Sequence, residues 1–451
     1  MQQDTLRPKR LGPILLSLGV HRWHVGVFML VNTITACLIG IVVVVQPYLL
    51  TDVLHIPMTE QGRVTGLLNM AQYGAVALFI APAGALSDVI GRKPVLIMAI
   101  IGFIITLLVL PLVAAVAALF AVRFFLGASS TGHIAGSRTM IVDFPANEDR
   151  GKFISLMLVV QSIVSATLVG WLLPHTPAFL VEHGFDHVTA LRYSLWGLAA
   201  LGMVALAIAV PFLRAPPRPA GDAVRKPGFK ALIASFREVL VFSRRDPTFG
   251  LVLLISFVIR ADFFVTQSFM SVWVMSASKL QGIDTPHALK TVGLVSITLT
   301  LSAAASPLLL GFLADRVNRV TMLIGSLIYA SLAFASTLLV RDVNGIMIIV
   351  VFAGIGVAEM AQTVASESVF GERAPPSLRG SAMGLYVFMG TLSVIVVSYL
   401  AGILFDKLGF TAPFLFLAAL NLVFAAAAIV MIKMRAGMAK TVEGDSAKVA
   451  P

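Results

Sequence analysis

G-A-L-S-D-V-I-G-R-K-P-V-L, residues 84–96, interrupts two long apolar runs with glycines, a carboxylate and two adjacent bases. A sparser copy, G-F-L-A-D-R-V-N-R, occupies 311–319, so that Gly84, Leu86, Asp88 and Arg92 correspond to Gly311, Leu313, Asp315 and Arg319. The offset of 227 residues is half of a 451-residue chain. The spacing predicts one protein built from two related halves, each turning after its second apolar segment.

The segments around the motif are long enough to cross a bilayer. Hydrophobic residues make up 58% of the chain and charged residues 12%, where a soluble domain carries about 25% charge. Mean hydropathy is +0.94. Apolar stretches near twenty residues recur throughout, the length needed to span a ~30 Å hydrocarbon core. Twelve spans are expected, near 25–46, 62–83, 94–112, 114–140, 153–173, 191–213, 248–275, 289–313, 320–340, 345–366, 380–404 and 411–432. The fold class is therefore an all-α integral membrane protein. Its parts are an N-terminal segment 1–24, a six-helix bundle 25–213, a linker 214–247, a second bundle 248–432 and a tail 433–451. The apolar stretch 11–20 is too short to span and is expected at the interface. The linker is rich in proline and base, and its second part has apolar residues three and four apart, as in an amphipathic surface helix. Residues 174–190 are expected to form a polar loop.

Basic residues set the orientation. With both termini cytoplasmic, 24 of the 33 lysines and arginines fall in cytoplasmic segments, six at the other face and three, Arg123, Arg138 and Arg260, within spans. This is the positive-inside pattern. It accounts for the formal charge of +11 without nucleic acid as a partner, and some linker charge is placed to meet anionic headgroups. The lone Cys37 allows no intrachain disulfide. No removable signal peptide is read at the N-terminus. There is no G-x-x-x-x-G-K-[ST] loop for nucleotide and no H-E-x-x-H. His183 and His187 are four apart in loop-like sequence and are not expected to hold metal. No cofactor is implied, and no serine or cysteine constellation suggests an enzyme.

Only two carboxylates fall near the middle of a span, Asp262 and Glu359. Each lies about fourteen residues into its helix, roughly 20 Å from its start at 1.5 Å per residue. An ionised carboxylate there is costly and needs a partner or a wet cavity, so both are candidates for coupling or substrate binding. Arg123 and Arg260 are candidates as anion ligands or as counter-charges to the two acids. Arg260 and Asp262 are two residues apart and do not face each other on a regular helix; either the helix breaks there or they flank one cavity. Neutral polar groups on the spans, Asn32, Asn69, Gln72, Gln161, Gln267 and Gln362, join Tyr73 and Phe263 as candidate cavity residues. Asn69, Gln72 and Tyr73 share one helical face, as do Glu359 and Gln362. Mixed aromatic and amide faces suit an amphipathic organic solute, although a single amide also glues helices together. Gly127, Gly132 and Gly136, with Ser129 and Ser130, give the fourth span a small-residue face for close packing. His133, on the same span, is expected in a helix–helix hydrogen bond.

Taken together, the motifs resemble those of the major facilitator superfamily over residues 20–435. The family's loop between its second and third spans reads G-x-L-x-D-x-x-G-R-[RK], matched by Gly84, Leu86, Asp88, Gly91, Arg92 and Lys93; the second copy has Asn318 in place of the second glycine. Arg123 and Gly127 resemble the family's R-x-x-x-G pattern, and G-I-L-F-D-K-L-G, residues 402–409, echoes the loop spacing on the opposite face. The resemblance implies two pseudo-symmetric six-helix bundles rocking around a central site, with Gly84, Asp88, Gly91, Arg92, Lys93, Asp315 and Arg319 forming a cytoplasmic gate. It implies a transporter of a small-molecule substrate in the cell membrane, a prokaryotic inner or plasma membrane, sufficient as a monomer. The midplane acids add protons as the expected coupling ion. Uncoupled facilitation, a lipid-like substrate and a non-transporting receptor or scaffold are the alternatives. One departure stands out: residues 153–173 lack the internal Gly-Pro pair of many drug/proton antiporters.

Overall fold

A computed structural model describes residues 10–17, 19–216, 229–314, 316–375 and 378–448. Asp315, one of the gate candidates, lies outside the described residues. The helices are α1 (Arg22–Tyr48), α2 (Met58–Ile90), α3 (Arg92–Val109), α4 (Val116–Asp143), α5 (Arg150–Ser165), α6 (Leu173–Glu182) and α7 (His187–Phe212). After the linker come α8 (Phe229–Arg245), α9 (Pro247–Leu280), α10 (Thr285–Ala314), α11 (Arg319–Ala335), α12 (Ile346–Arg373), α13 (Arg379–Leu408) and α14 (Ala412–Lys448). Among the described residues, eleven continuous helical segments are long and apolar enough to cross a membrane. The charged helix α4 occupies the place of the fourth span and packs on α2 and α3.

Three local expectations change. Span five does not stop at 173: a π-helical turn, Ala166–Leu172, carries it into α6, so most of the expected loop is helix and only 183–186 remain outside. Pro174 and Pro177 misled the sequence reading. Pro174 directly follows the π-helical turn, whose wider i→i+5 spacing absorbs the missing amide. The added turn also gives this span internal prolines, though not as a Gly-Pro pair. Span one likewise runs through Pro47 into a π turn, Leu49–Val53, with Leu54 N donating to Leu49 O at 2.9 Å; the wider i→i+5 turn absorbs the interruption.

The N-terminal stretch folds back on itself and packs on the first bundle. Gly12 takes φ +57° and turns Arg10–Leu11 back on Ile14–Leu15 as an antiparallel hairpin. Ile14 and Leu16 are buried against a cluster that includes Phe28, Phe144 and Phe153, and Leu15 N donates to Asp149 Oδ2 at 2.7 Å. The Lys152 ammonium and this amide hold the Asp149 carboxyl below its ordinary value. The contact is therefore complete at neutral pH and is lost as acid protonates the carboxylate.

The small-residue face of α4 packs as expected. A Cβ on Gly132 would lie 3.2 Å from Val95 O, and one on Gly127 would run into the backbone at Gln72. His133 differs: its Nδ1 has no hydrogen-bond partner, and the ring lies 6.1 Å from Phe103. The basic amphipathic helix in the linker is present as α8, and Val239 and Phe236 seat it against the second bundle.

The two halves repeat in detail. Gly91, at φ +97°, ends α2 and lets α3 start at once with Arg92. Arg92 forms an ion pair with Asp143 at the end of α4. In the second half Arg319 opens α11 and pairs with Glu372, at the end of α12, at 3.3 Å. In both bundles an arginine at the start of the third helix is tied to a carboxylate closing the fourth.

Candidate functional site

Contacts between the halves concentrate at the end away from residues 84–92. On α13, Asp406 accepts from Gly62 N at 2.8 Å and Arg63 N at 2.7 Å, close to the start of α2, where the helix dipole favours an anion. Asp52, beyond α1, accepts from Thr285 Oγ1 of α10 at 2.9 Å. Glu182 meets Lys290 Nζ at 3.3 Å and His287 Nε2 at 3.4 Å. Between these polar ties the backbones nearly touch, at Gly66 with Ser398 and at Gly170 with Gly293. This end is closed. Toward the other end, Arg138 and Glu367 stand exposed on α4 and α12.

Asp406→Asn tests the tie to α2. An amide has one acceptor oxygen for two N–H donors, so one donor loses its partner, at about 1–3 kcal/mol. We expect spin labels on Thr59→Cys and Leu408→Cys, in a Cys37→Ser background, to move to longer distances in that variant.

At mid-depth the first half presents a buried polar knot. Arg123, 0% exposed, donates through Nη1 to Gln72 Oε1 at 2.7 Å and through Nη2 to Gln46 Oε1. Gln46 Nε2 in turn donates to Thr65 Oγ1 at 2.8 Å. One guanidinium thus joins α1, α2 and α4. Gln46 lies near the end of α1, and nothing local in the sequence marks it as a ligand of Arg123. Asn69 Nδ2 crosses to Ser268 Oγ on α9 at 2.9 Å, and the Tyr73 ring lies 4.6 Å from Phe264. Arg260 stacks over that same ring at 5.7 Å, so Tyr73 stands within electrostatic reach of Arg123 and Arg260.

The helix carrying Arg260 and Asp262 is unbroken, and the two side chains part. Arg260 turns to Phe264. Asp262, 0% exposed, faces α12 and α14 inside the second bundle, where Asn421 Nδ2 donates to its Oδ2 at 2.8 Å. Asn421 Oδ1 accepts from Gln362 Nε2. Glu359 is buried within electrostatic range of Asp262. Among the described residues neither acid forms an ion pair, so the alternative of static pairing with a base does not describe them.

The remaining candidates separate. Asn32 is buried with Oδ1 unpartnered. Gln161 and Gln267 are half-buried, and Phe263 is 44% exposed with its ring edge-on to Phe264. The aromatic contact across the halves therefore belongs to Phe264, one residue on. In the loop motif Lys93 Nζ donates to Val210 O at 2.7 Å, while Asp88 closes α2. A Cβ on Gly84 would meet nothing within 4 Å. Residues absent from the sequence reading are Asn421, Gln46 as an arginine ligand, Asp143 and Glu372. Among the described residues, no three His, Cys, Asp or Glu side chains gather as a metal site.

The sequence profile of the Major Facilitator Superfamily matches residues 28–298 and 268–449, nearly the whole chain. The chain belongs to this superfamily. It is a multi-pass membrane protein of a transporter family, not an enzyme. Among its relatives, the magnetosome protein MamH of Paramagnetospirillum magneticum is 22% identical over 92% of this chain and 94% of its own length. MamZ of the same organism is 23% identical over 87% of this chain, which spans only 60% of that longer protein. A class C tetracycline resistance protein of Escherichia coli shares 33% identity over 32% of this chain and 37% of its own. The fold is that of the nucleoside transporter NupG, with a TM-score of 0.70 at 16% identity, covering 92% of this chain and all of that one. A D-xylose-proton symporter gives 0.68 at 16%, covering 90% and 97%.

Proposed function

We propose that the chain is a secondary active transporter that moves a small organic or amphipathic solute across the cell membrane by alternating access, coupled to protons through Asp262 and Glu359. The observation that carries this reading is the pair of carboxyls buried mid-way along α9 and α12 with, among the described residues, no basic partner. Two such groups close together in a low-dielectric interior are costly to hold charged, so a bound proton offsets one of them, and its release when the site opens to water couples the cycle to that ion. Across the halves Arg260, Tyr73 and Phe264 come together, with Arg123 within electrostatic reach of Tyr73. That combination of cation and aromatic faces suits a planar or anionic solute.

With both termini cytoplasmic, the closed end is the outer one and the protein stands facing inward. The open space at Gly84 then gives α13 room to approach α2 when the inner end closes. The Arg92–Asp143 pair keeps the ends of α3 and α4 moving as one body. Both halves of the pathway lie in one chain, so a monomer in an inner or plasma membrane suffices.

Reconstitution in liposomes with an imposed pH gradient tests the reading against a panel of solutes. We expect accumulation that follows the gradient. Glu359→Gln and Asp262→Asn should each abolish accumulation while leaving downhill exchange. Flux that ignores the gradient and survives both changes would indicate an uncoupled facilitator. A lack of flux for every solute, together with full ligand binding, would indicate a receptor.

A further inference from the structure

The second bundle holds more unpartnered oxygen than proton coupling needs. Asp262 and Thr266 lie four apart on α9, and Glu359 and Gln362 three apart on α12, so each pair shares a helical face. The two faces meet: Asp262 and Glu359 are within electrostatic range, Gln362 lies beside Asp262, and Thr266 beside Glu359. Asp262, Thr266 and Gln362 are 0% exposed and Glu359 is 6% exposed. Four oxygens here, Asp262 Oδ1, Thr266 Oγ1, Glu359 Oε1 and Gln362 Oε1, have no hydrogen-bond partner. Buried polar atoms are nearly always satisfied; even with the Thr266 hydroxyl turned to Glu359 and the Gln362 amide N–H to Asp262, Gln362 Oε1 and the carboxylate charge remain unmet and call for a ligand.

The amide orientations are fixed by the network. Asn421 Nδ2 lies 2.8 Å from Asp262 Oδ2 and 3.0 Å from Leu417 O. Both are acceptors, so this atom must be the nitrogen. Asn421 Oδ1 therefore faces Gln362, which must answer with Nε2, and Gln362 Oε1 is left over as an acceptor. Flipping either amide would set oxygen against oxygen. The site thus presents carboxylate, amide carbonyl and hydroxyl oxygens and, among the described residues, no positive charge.

We propose that Asp262, Thr266, Glu359 and Gln362 bind one sodium-sized monovalent cation inside the second bundle. A proton satisfies one or two of these oxygens, whereas a hard cation takes an all-oxygen set. With Asp262 Oδ2 held by Asn421, even a bidentate Glu359 leaves the set short of the six to eight oxygens that calcium takes, and magnesium demands an octahedron. The charge of the ion offsets one of the two buried carboxylates. The inference rests on the coupling role proposed for this acidic pair, and makes sodium an alternative occupant to the proton.

The test measures thermal unfolding of the purified, detergent-solubilised protein in choline chloride, titrated with sodium, potassium or calcium chloride at constant ionic strength. Sodium should raise the midpoint saturably, with potassium and calcium much weaker. Thr266→Ala removes one neutral ligand without touching charge and should weaken the apparent sodium affinity by about tenfold or more. Thr266→Ser, which keeps the hydroxyl, should restore most of it. Asp262→Asn should abolish the sodium response; if that variant fails to fold, the threonine pair carries the test. No sodium effect, an equal effect of potassium, a stronger effect of calcium, or a sodium effect unchanged in Thr266→Ala would overturn the site. The outcome is separable from proton coupling. Accumulation driven by a pH gradient with no sodium effect on stability refutes this inference alone. Sodium stabilisation with flux indifferent to pH refutes the proton reading alone.

Discussion

A Gly66→Leu protein will fold and insert but will lose transport. On α2, Gly66 faces α13 so closely that a Cβ would run into the carbonyl of Ser398; one turn earlier, a Cβ on Gly62 would meet Gly402 O at 2.7 Å. The ends of these helices away from residues 84–92 thus pack backbone against backbone, as stripes of small residues allow. A leucine adds four carbons where there is no room for one. Overpacking costs about 1–3 kcal/mol where neighbours can adjust, and here the neighbour is main chain, which adjusts least. A bias of about 3 kcal/mol against the closed state shifts its population roughly a hundredfold. The strain is relieved by opening this end rather than by unfolding, because the bundle cores are untouched. Flux in liposomes should therefore drop by at least about tenfold with little change in melting temperature. Spin labels at residues 59 and 408 should report the open distance alone. Wild-type flux in Gly66→Leu would mean that this closed end is not part of the cycle.

Arg123→Ala should cost both activity and stability. The guanidinium is fully buried and holds Gln72 and Gln46 from two other helices. Removing it strands two buried acceptors, at about 1–3 kcal/mol each, and opens a cavity between α1, α2 and α4. Arg123→Lys keeps the charge but loses the planar fork that reaches both glutamines. The expected order of melting temperature is wild type, then lysine, then alanine, with transport strongly reduced in both variants. Equal stability in all three would show that the knot is not structural, and retained transport would remove Arg123 from the site.

The features legible in the sequence were those with short-range signatures. Apolar runs marked the helices, and the glycine and charge spacing at 84–93 and 311–319 marked the repeat. Asp262 and Glu359 stood out because carboxylates are costly in an apolar run. What escaped were partners far apart in sequence. Nothing local joins Arg92 to Asp143 or Asp262 to Asn421, and a lone asparagine in an apolar helix looks like any other. Pro174 and Pro177 suggest a loop because a proline carried inside a helix by a wider turn reads the same as one that ends a helix. For Arg260 and Asp262, two residues apart, the sequence left two possibilities. The continuous α9 decides for two faces, one turned to Phe264 and one to the bundle core.

The most direct test is proton movement driven by solute. Liposomes containing the protein and a pH-sensitive dye, in sodium-free buffer with no preset gradient, are given a solute that the protein carries. Lumenal pH should change as solute enters, in proportion to the amount taken up, and the change should vanish in Glu359→Gln while solute still equilibrates. Solute entry at wild-type rates with no change in lumenal pH would contradict the account.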